Sequence, residues 1–254
     1  MKIALVQYDI AWADPEANRE RLDGILGTLD ESVDLCVLPE MFSTGFATQP
    51  EGIAEDEPCA TLGWMKSRAA AKDCAIAGSV ALHVGGSYVN RFYFVKPDGE
   101  VTVYDKRHLF TFGGEHRRFT RGEERVIVEW RGVRFLLGVC YDLRLPVWSR
   151  NRRDYDAAIY EASWPSVRQY PWDTLLRARA IENQCFVLGV NRVGTDPSCE
   201  YGGGTVLIDP YGNAVATCPY GEERVIEGEM DMDALEAFRQ KFPVLEDADD
   251  FELK

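Results

Sequence analysis

Short apolar runs rich in Val, Ile, Leu and aromatic residues recur along the chain, and several are separated by segments whose apolar positions repeat at helical spacing. That alternation predicts an α/β fold. Ile3 to Tyr8 reads as a strand, Pro15 to Leu29 as a helix, and Val33 to Pro39 as a second strand stopped by its proline, together one βαβ unit. Thr61 to Lys72 is again helical, and Ala75 to Val84 returns as a strand. Between residues 87 and 140 the pattern changes to hairpins: Tyr88–Val95 and Val101–Tyr104 flank Pro97-Asp98-Gly99, then Val126–Trp130 and Val133–Val139 flank Arg131-Gly132. Pro146–Arg152 and Pro171–Asn183 look helical around a strand at Ala157–Ala162; Phe186–Val190 is another strand, and a last hairpin turns at Asp209 to Asn213. Residues 242–254 are acidic and lack helical periodicity, which reads as an arm or tail ordered by a neighbouring subunit. With no internal repeat and no flexible linker, the expectation is one layered domain over 1–254, helices outside and sheets inside.

In α/β sheets ligands gather at the carboxyl ends of strands, and three such ends carry reactive side chains. Leu38-Pro39 delivers Glu40, Tyr104-Asp105 delivers Lys106, and Gly138-Val139 delivers Cys140. A lone Glu or Lys in such a place is ordinarily a solvated loop residue, and a lone Cys packs as a small hydrophobe, as Cys36 and Cys185 on apolar strands are expected to do. Cys140 differs because Tyr141-Asp142-Leu143-Arg144 puts two charges within four residues of its thiol. Spacing alone does not make a site of the three, since such triads are defined by geometry.

Composition narrows the possibilities further. The 254 residues carry a formal net charge of −14, which disfavours nonspecific nucleic-acid binding and docking on anionic membrane. Seven cysteines with no CxxC pair give neither a disulfide framework nor a zinc knuckle. His83, His108 and His116 lack HExxH or HxH spacing, so no metal or other cofactor is expected. No signal segment or membrane span is read, and free thiols suit a reducing cytoplasm.

The segments Leu38-Pro39-Glu40-Met41-Phe42, Asp105-Lys106-Arg107-His108-Leu109 and Gly138-Val139-Cys140-Tyr141-Asp142-Leu143-Arg144-Leu145-Pro146 resemble the three signature regions of the nitrilase superfamily, the carbon-nitrogen hydrolases. Arg179 to Asn183 and Gly202-Gly203-Gly204 extend the likeness over the full length. The resemblance implies a four-layer α-β-β-α sandwich, commonly a homodimer, with Glu40 as general base, Lys106 as stabiliser of the tetrahedral intermediate and Cys140 as nucleophile. It also points to Glu115, in Gly113-Gly114-Glu115-His116-Arg117, as a second glutamate of the site. The backbone N–H of Tyr141 is expected to complete an oxyanion hole with Lys106.

Within the superfamily, Cys140-Tyr141-Asp142 departs from the Cys-Trp-Glu of dedicated nitrilases, and neither membrane helices nor an ATP-binding domain accompanies the hydrolase segments. A stand-alone amidase or carbamoylase remains. Leu38 to Phe46, Cys140 to Asn151 and Glu161-Ala162-Ser163-Trp164-Pro165 are most similar to the bacterial omega-amidase branch, which implies a small omega-amide keto acid such as 2-oxoglutaramate or 2-oxosuccinamate as substrate. Its carboxylate calls for an arginine within an aromatic wall. Arg144 and Arg168 are the candidates for the first, and Phe46, Trp164 and Trp172 for the second. The alternatives are another amidase or carbamoylase of this superfamily and a catalytically silent binding module.

Overall fold

In a computed structural model describing residues 1–252, the first strand, β1 (Lys2–Gln7), already shows why layers are needed on both sides of a sheet. Its side chains alternate, and both rows are buried: Ile3 and Leu5 enter one hydrophobic cluster, Ala4 and Val6 another. Helix α1 (Pro15–Gly27), capped by Asp14, lays Leu22 and Leu26 on the Ala4 and Val6 side. β2 (Leu35–Val37) runs parallel to β1; β3 (Glu55–Asp56) and α2 (Ala60–Lys72) follow, and β4 (Ala75–Val84) runs parallel to β2. β5 (Ser87–Val95) and β6 (Val101–Asp105) then turn back antiparallel.

The second half repeats the scheme. β7 (Ile127–Trp130) and β8 (Val133–Val139) form a hairpin; a short α3 (Pro146–Ser149), β9 (Ala157–Ala162), α4 (Gln169–Asn183) and β10 (Phe186–Asn191) continue it, with β8, β9 and β10 parallel. β11 (Val193–Thr195) and β12 (Glu200–Gly202) make a separate ribbon. β13 (Val206–Ile208) and β14 (Ala214–Thr217) extend the second sheet, whereas β15 (Arg224–Glu229) returns to pair with β1, and α5 (Met232–Lys241) and a 3-10 turn at Val244–Asp247 follow. The first sheet runs β15-β1-β2-β4-β5-β6 with β3 beside β4, and the second runs β14-β13-β10-β9-β8-β7.

Phe92 and Phe94 of the first sheet meet Phe135, Leu137 and Ile159 of the second in the central cluster, while Trp172, Leu176 and Ala180 of α4 cover the outer face of the second. The result is an α-β-β-α sandwich, as the motifs imply. Several elements depart from the sequence expectation, the short strands β3, β11 and β12 among them. The Pro146 helix stops at Ser149 because the Asn151 amide and side chain bond to Asn183 and Tyr155 instead. β15 and α5 are passed over by periodicity because each lies at an edge and buries a single residue, Ile226 and Leu235. The start of the closing segment packs on its own chain: Gln184 Nε2 donates to the Phe242 carbonyl at 2.7 Å, and Leu245 is buried.

Gly189 of β10 lies directly beneath Leu176 of α4, and a Cβ there would fall inside van der Waals contact of the leucine methyl groups. Since Leu176 is fully buried it has nowhere to swing. Gly189→Ala is therefore expected to lower the unfolding free energy by about 1–3 kcal/mol. Urea melts check this, the expected result being a lower midpoint at unchanged slope.

Candidate active site

Glu40 follows β2, Lys106 follows β6 and Cys140 follows β8, so the first two leave one sheet and the third leaves the sheet facing it. The strand ends converge between the sheets. Lys106 Nζ donates to Glu40 Oε1 at 2.8 Å and to both oxygens of Glu115 at 3.1 and 3.0 Å, with all three side chains fully buried. Glu115 enters from the 3-10 turn Glu115–Arg117 and is fixed by the Phe110 N–H, 2.5 Å from its Oε2. The remaining oxygen of Glu40 accepts the Ser163 N–H at 2.9 Å.

Two left-handed residues aim the chain into this space. Met41 has φ +45° and Cys140 has φ +46°, conformations that cost free energy outside glycine and persist only where their surroundings enforce them. At Met41 the enforcement comes from Ser79, whose Oγ accepts the Met41 N–H at 3.0 Å and whose carbonyl accepts the Phe42 N–H at 3.1 Å. Gly78 makes the approach possible, because a Cβ there would meet Leu38 and Phe42 at 2.9 Å. At Cys140 the brace is Asp142. Its Oδ2 accepts from the Val139 N–H at 2.9 Å and the Tyr104 hydroxyl at 2.7 Å, while Oδ1 accepts the His108 N–H at 3.0 Å. One buried carboxylate thus ties the cysteine turn to the lysine segment.

Burial alone would lower the Lys106 pKa, but the Glu115 and Glu40 carboxylates outweigh it and hold the ammonium well above an ordinary lysine. Burial pushes Glu115 up, with Glu40 adding to the push and Lys106 opposing it. Cys140 is open to the cavity on one side yet packed by protein on the others. That desolvation, and then the Glu40 carboxylate, raise its thiol well above the ordinary cysteine range against the pull of Lys106. The resting sulfur is therefore a thiol, with the Glu40 carboxylate beside it to take the proton.

Cys140, Tyr141, Phe46, Arg144, Trp164 and Arg168 all line one cavity of about 620 Å³. The Lys106 ammonium lies 5.1 Å from the Phe46 ring centre. The Arg144 guanidinium lies over Trp164 at 4.8 Å and that of Arg168 over Phe110 at 5.2 Å. Neither guanidinium has a carboxylate partner among the described residues, which leaves two cations facing one cavity. Trp172 does not reach it. It is fully buried behind Trp164, 5.4 Å between ring centres, and its Nε1 donates to the Gly204 carbonyl at 2.9 Å, so the expected third aromatic wall is a support for the second.

Several residues that shape the site escape the sequence reading. Asn90 donates to Glu40 Oε1 at 2.8 Å and to Glu115 Oε1 at 3.4 Å, and Ser79, Asp142 and Ser163 act as described above. A signal does exist. Phe94 and Phe92 are followed on the same face of β5 by Asn90, and Ala75 and Ala77 on the same face of β4 by Ser79. Each core-facing row turns polar at the end where the cavity opens.

The sequence model of the carbon-nitrogen hydrolase family matches residues 2–240, and the chain belongs to that family. Over its full length it is 47% identical to the omega-amidase YafV of Escherichia coli, covering 98% of that protein. It is 32% identical to the 2-oxoglutaramate amidase of Bacillus subtilis, with 96% of each chain covered. Among solved structures it is similar to a carbon-nitrogen hydrolase superfamily protein of Xanthomonas campestris with an arsenic adduct in its active site. That similarity has a TM-score of 0.97 and 42% identity, covering 100% of this chain and 99% of the other.

The raised Cys140 thiol has a readable sign. In the absence of substrate, alkylation of Cys140 by neutral iodoacetamide should keep rising beyond pH 9, whereas an unperturbed cysteine is half ionised near about pH 8.5. Peptide mapping separates Cys140 from Cys199, which also lines the cavity. A rate that levels off by about pH 8 would contradict the assignment of a resting thiol.

Proposed function

We propose that this carbon-nitrogen hydrolase cleaves the terminal amide of a small omega-amide keto acid, 2-oxoglutaramate or 2-oxosuccinamate, to the dicarboxylate and ammonia. The observation that carries the reading is the pairing of a buried Glu40–Lys106–Glu115 cluster with two uncompensated guanidiniums in the cavity that Cys140 opens into. The named activities of the Escherichia coli and Bacillus subtilis relatives support it.

In this mechanism the Cys140 sulfur attacks the amide carbon as Glu40 takes the thiol proton. The carbonyl oxygen becomes an oxyanion facing Lys106 and the Tyr141 N–H, which falls in the first turn of the 3-10 segment Cys140–Arg144 where amides lack a partner within the segment. Each such donor is worth about 3 kcal/mol in the transition state. Glu40 then passes its proton to the amide nitrogen, the C–N bond breaks, and ammonia leaves a Cys140 thioester. Water gives a proton to Glu40 as it attacks the thioester, and the proton returns to sulfur as the acid departs. Glu115 keeps the ammonium of Lys106 in place throughout, so both carboxylates of the cluster have work at every step. Arg144 or Arg168 receives the substrate's distal carboxylate, with Phe46 and Trp164 as walls. No cofactor enters these steps.

A cytoplasmic homodimer belongs to the same proposal. Seven unpaired cysteines suit a reducing compartment, and Val147 on α3 and Ile181 on α4 are exposed apolar side chains suited to a subunit contact.

Cys140→Ala and Cys140→Ser should abolish turnover while leaving the circular dichroism spectrum and melting behaviour of the wild type. Undiminished ammonia release by purified Cys140→Ala protein would sink the mechanism. Across omega-amide keto acids, simple aliphatic amides, N-carbamoyl amino acids and nitriles, the first group should show the highest kcat/KM. Arg144→Ala or Arg168→Ala should raise KM for the omega-amide acid by about tenfold or more relative to a neutral amide, the expected loss of a charge-assisted contact. Equal effects on acidic and neutral amides would remove the carboxylate from the proposal, and a preference for nitriles or carbamoyl amines would replace it.

A further inference from the structure

Glu161 is a buried carboxyl group that the reaction does not use. It lies on the core-facing row of β9 after Ala157 and Ile159, its neighbours in register are Val139 and Val190, and none of its surface is exposed. It reaches across to the opposite sheet, where its Oε2 accepts the Ser79 hydroxyl at 3.2 Å and the Ser79 N–H at 3.4 Å. Oε1 has no hydrogen-bond partner among the described residues. Among the described residues no arginine or lysine bonds to it, and Lys106 gives its hydrogen bonds to Glu40 and Glu115.

Counting charge in this buried space settles its state. One ammonium already serves two carboxylates, and a third anion within the same apolar surroundings would be left without a counter-ion. A proton on Oε1 removes that charge and leaves Oε2 as the carbonyl-like acceptor that the Ser79 hydroxyl needs. Burial and the nearby Glu40 carboxylate push in the same direction, and Ser79 and Lys106 oppose them without prevailing. The Ser79 hydroxyl, donating to Glu161, offers its lone pair to the N–H of left-handed Met41, the residue after Glu40. Two residues beyond Glu161, Ser163 holds the Glu40 carboxylate and carbonyl directly.

We propose that Glu161 is a positioning residue that works as an un-ionised acid, linking the two sheets through Ser79 and the Met41 amide so that Glu40 stays aimed at the Cys140 thiol. The proposal rests on the role of Glu40 and not on the identity of the amide. The same contacts explain why a carboxyl occupies a position whose neighbours on β8 and β10 are valines: glutamine or glutamic acid can serve, a charged carboxylate or an apolar residue cannot.

The test compares wild type, Glu161→Gln, Glu161→Ala and Ser79→Ala on whichever amide the wild type hydrolyses best. At pH 7.5 the infrared difference spectrum between wild type and Glu161→Gln should show loss of a protonated-carboxyl C=O band. Glu161→Gln should keep kcat within about threefold of wild type, whereas Glu161→Ala should lower kcat by about 30-fold or more with little change in KM, the scale of a small misplacement of a reacting group. Ser79→Ala, which leaves the packing around Glu161 intact, should lower kcat in the same sense and serves if Glu161→Ala fails to fold. Absence of the protonated band, a Glu161→Gln loss as large as that of Glu161→Ala, or wild-type kcat in Ser79→Ala would each overturn the proposal. Because every comparison is internal to one substrate, failure here is distinguishable from failure of the omega-amide reading, which would show as a different preferred substrate.

Discussion

The site is organised around a single buried ammonium. Lys106 has no exposed side-chain surface and divides its hydrogen bonds between Glu40 and Glu115, which reach it from different segments of the chain. A charge so placed is costly to desolvate, and the arrangement holds only while both carboxylates remain within bonding distance. That requirement fixes the end of β2, the end of β6 and the 3-10 turn carrying Glu115 relative to one another. It also explains the neutral amide of Asn90 between the two carboxylates, which shares their lone pairs without adding charge. Had either acid been neutral and unpaired, the cluster could neither hold the lysine charged nor leave a basic carboxylate beside the thiol.

The central apolar layer supplies rigidity and the polar end of that layer supplies chemistry. Core-facing rows from both sheets run through Phe, Ile and Val and end in Asn90, Ser79, Lys106 and Glu161. Sheets packed face to face through such a core shift little relative to one another, so side chains at their common edge keep the separation that proton transfer between a thiol on one sheet and a carboxylate on the other demands. The Asp142 brace crosses the same gap, joining the Cys140 turn to Tyr104 and His108.

Sequence made the fold legible wherever elements bury whole faces. The strands at residues 3–8, 75–84 and 186–190 and the long helices fall within a few residues of their expected limits, because alternation and helical period are strong when many positions are buried. β15 and α5, which each bury one residue, left no such signal. At the site, Glu40, Lys106, Glu115 and Cys140 stood out through motif resemblance, and the structure brings the first three into direct contact beside the fourth. Trp172 was misplaced for a physical reason: composition identifies an aromatic near a loop but not which of two stacked rings faces the cavity. Ser79, Asn90 and Glu161 were missed because each is one polar position in an apolar row, recognisable only when the rows are laid side by side.

The acidic balance of the chain gains a local meaning from this geometry. A net charge of −14 repels a dicarboxylate half-amide at long range, yet the field inside a cavity is set by the nearest groups, since screening confines each charge to about 8 Å at physiological salt. The nearest uncompensated charges are the guanidiniums of Arg144 and Arg168, each resting on an aromatic face and free of acid partners among the described residues, while the Lys106 ammonium is paired with its two carboxylates. On the proposed reading, attraction for the substrate's carboxylate falls to one of these arginines and stabilisation of the reacting carbonyl to Lys106, so the two tasks belong to different cations. An anion bound to an arginine does not disturb the proton held between Glu40 and Cys140, and the chemistry can proceed with the carboxylate already neutralised at the far end.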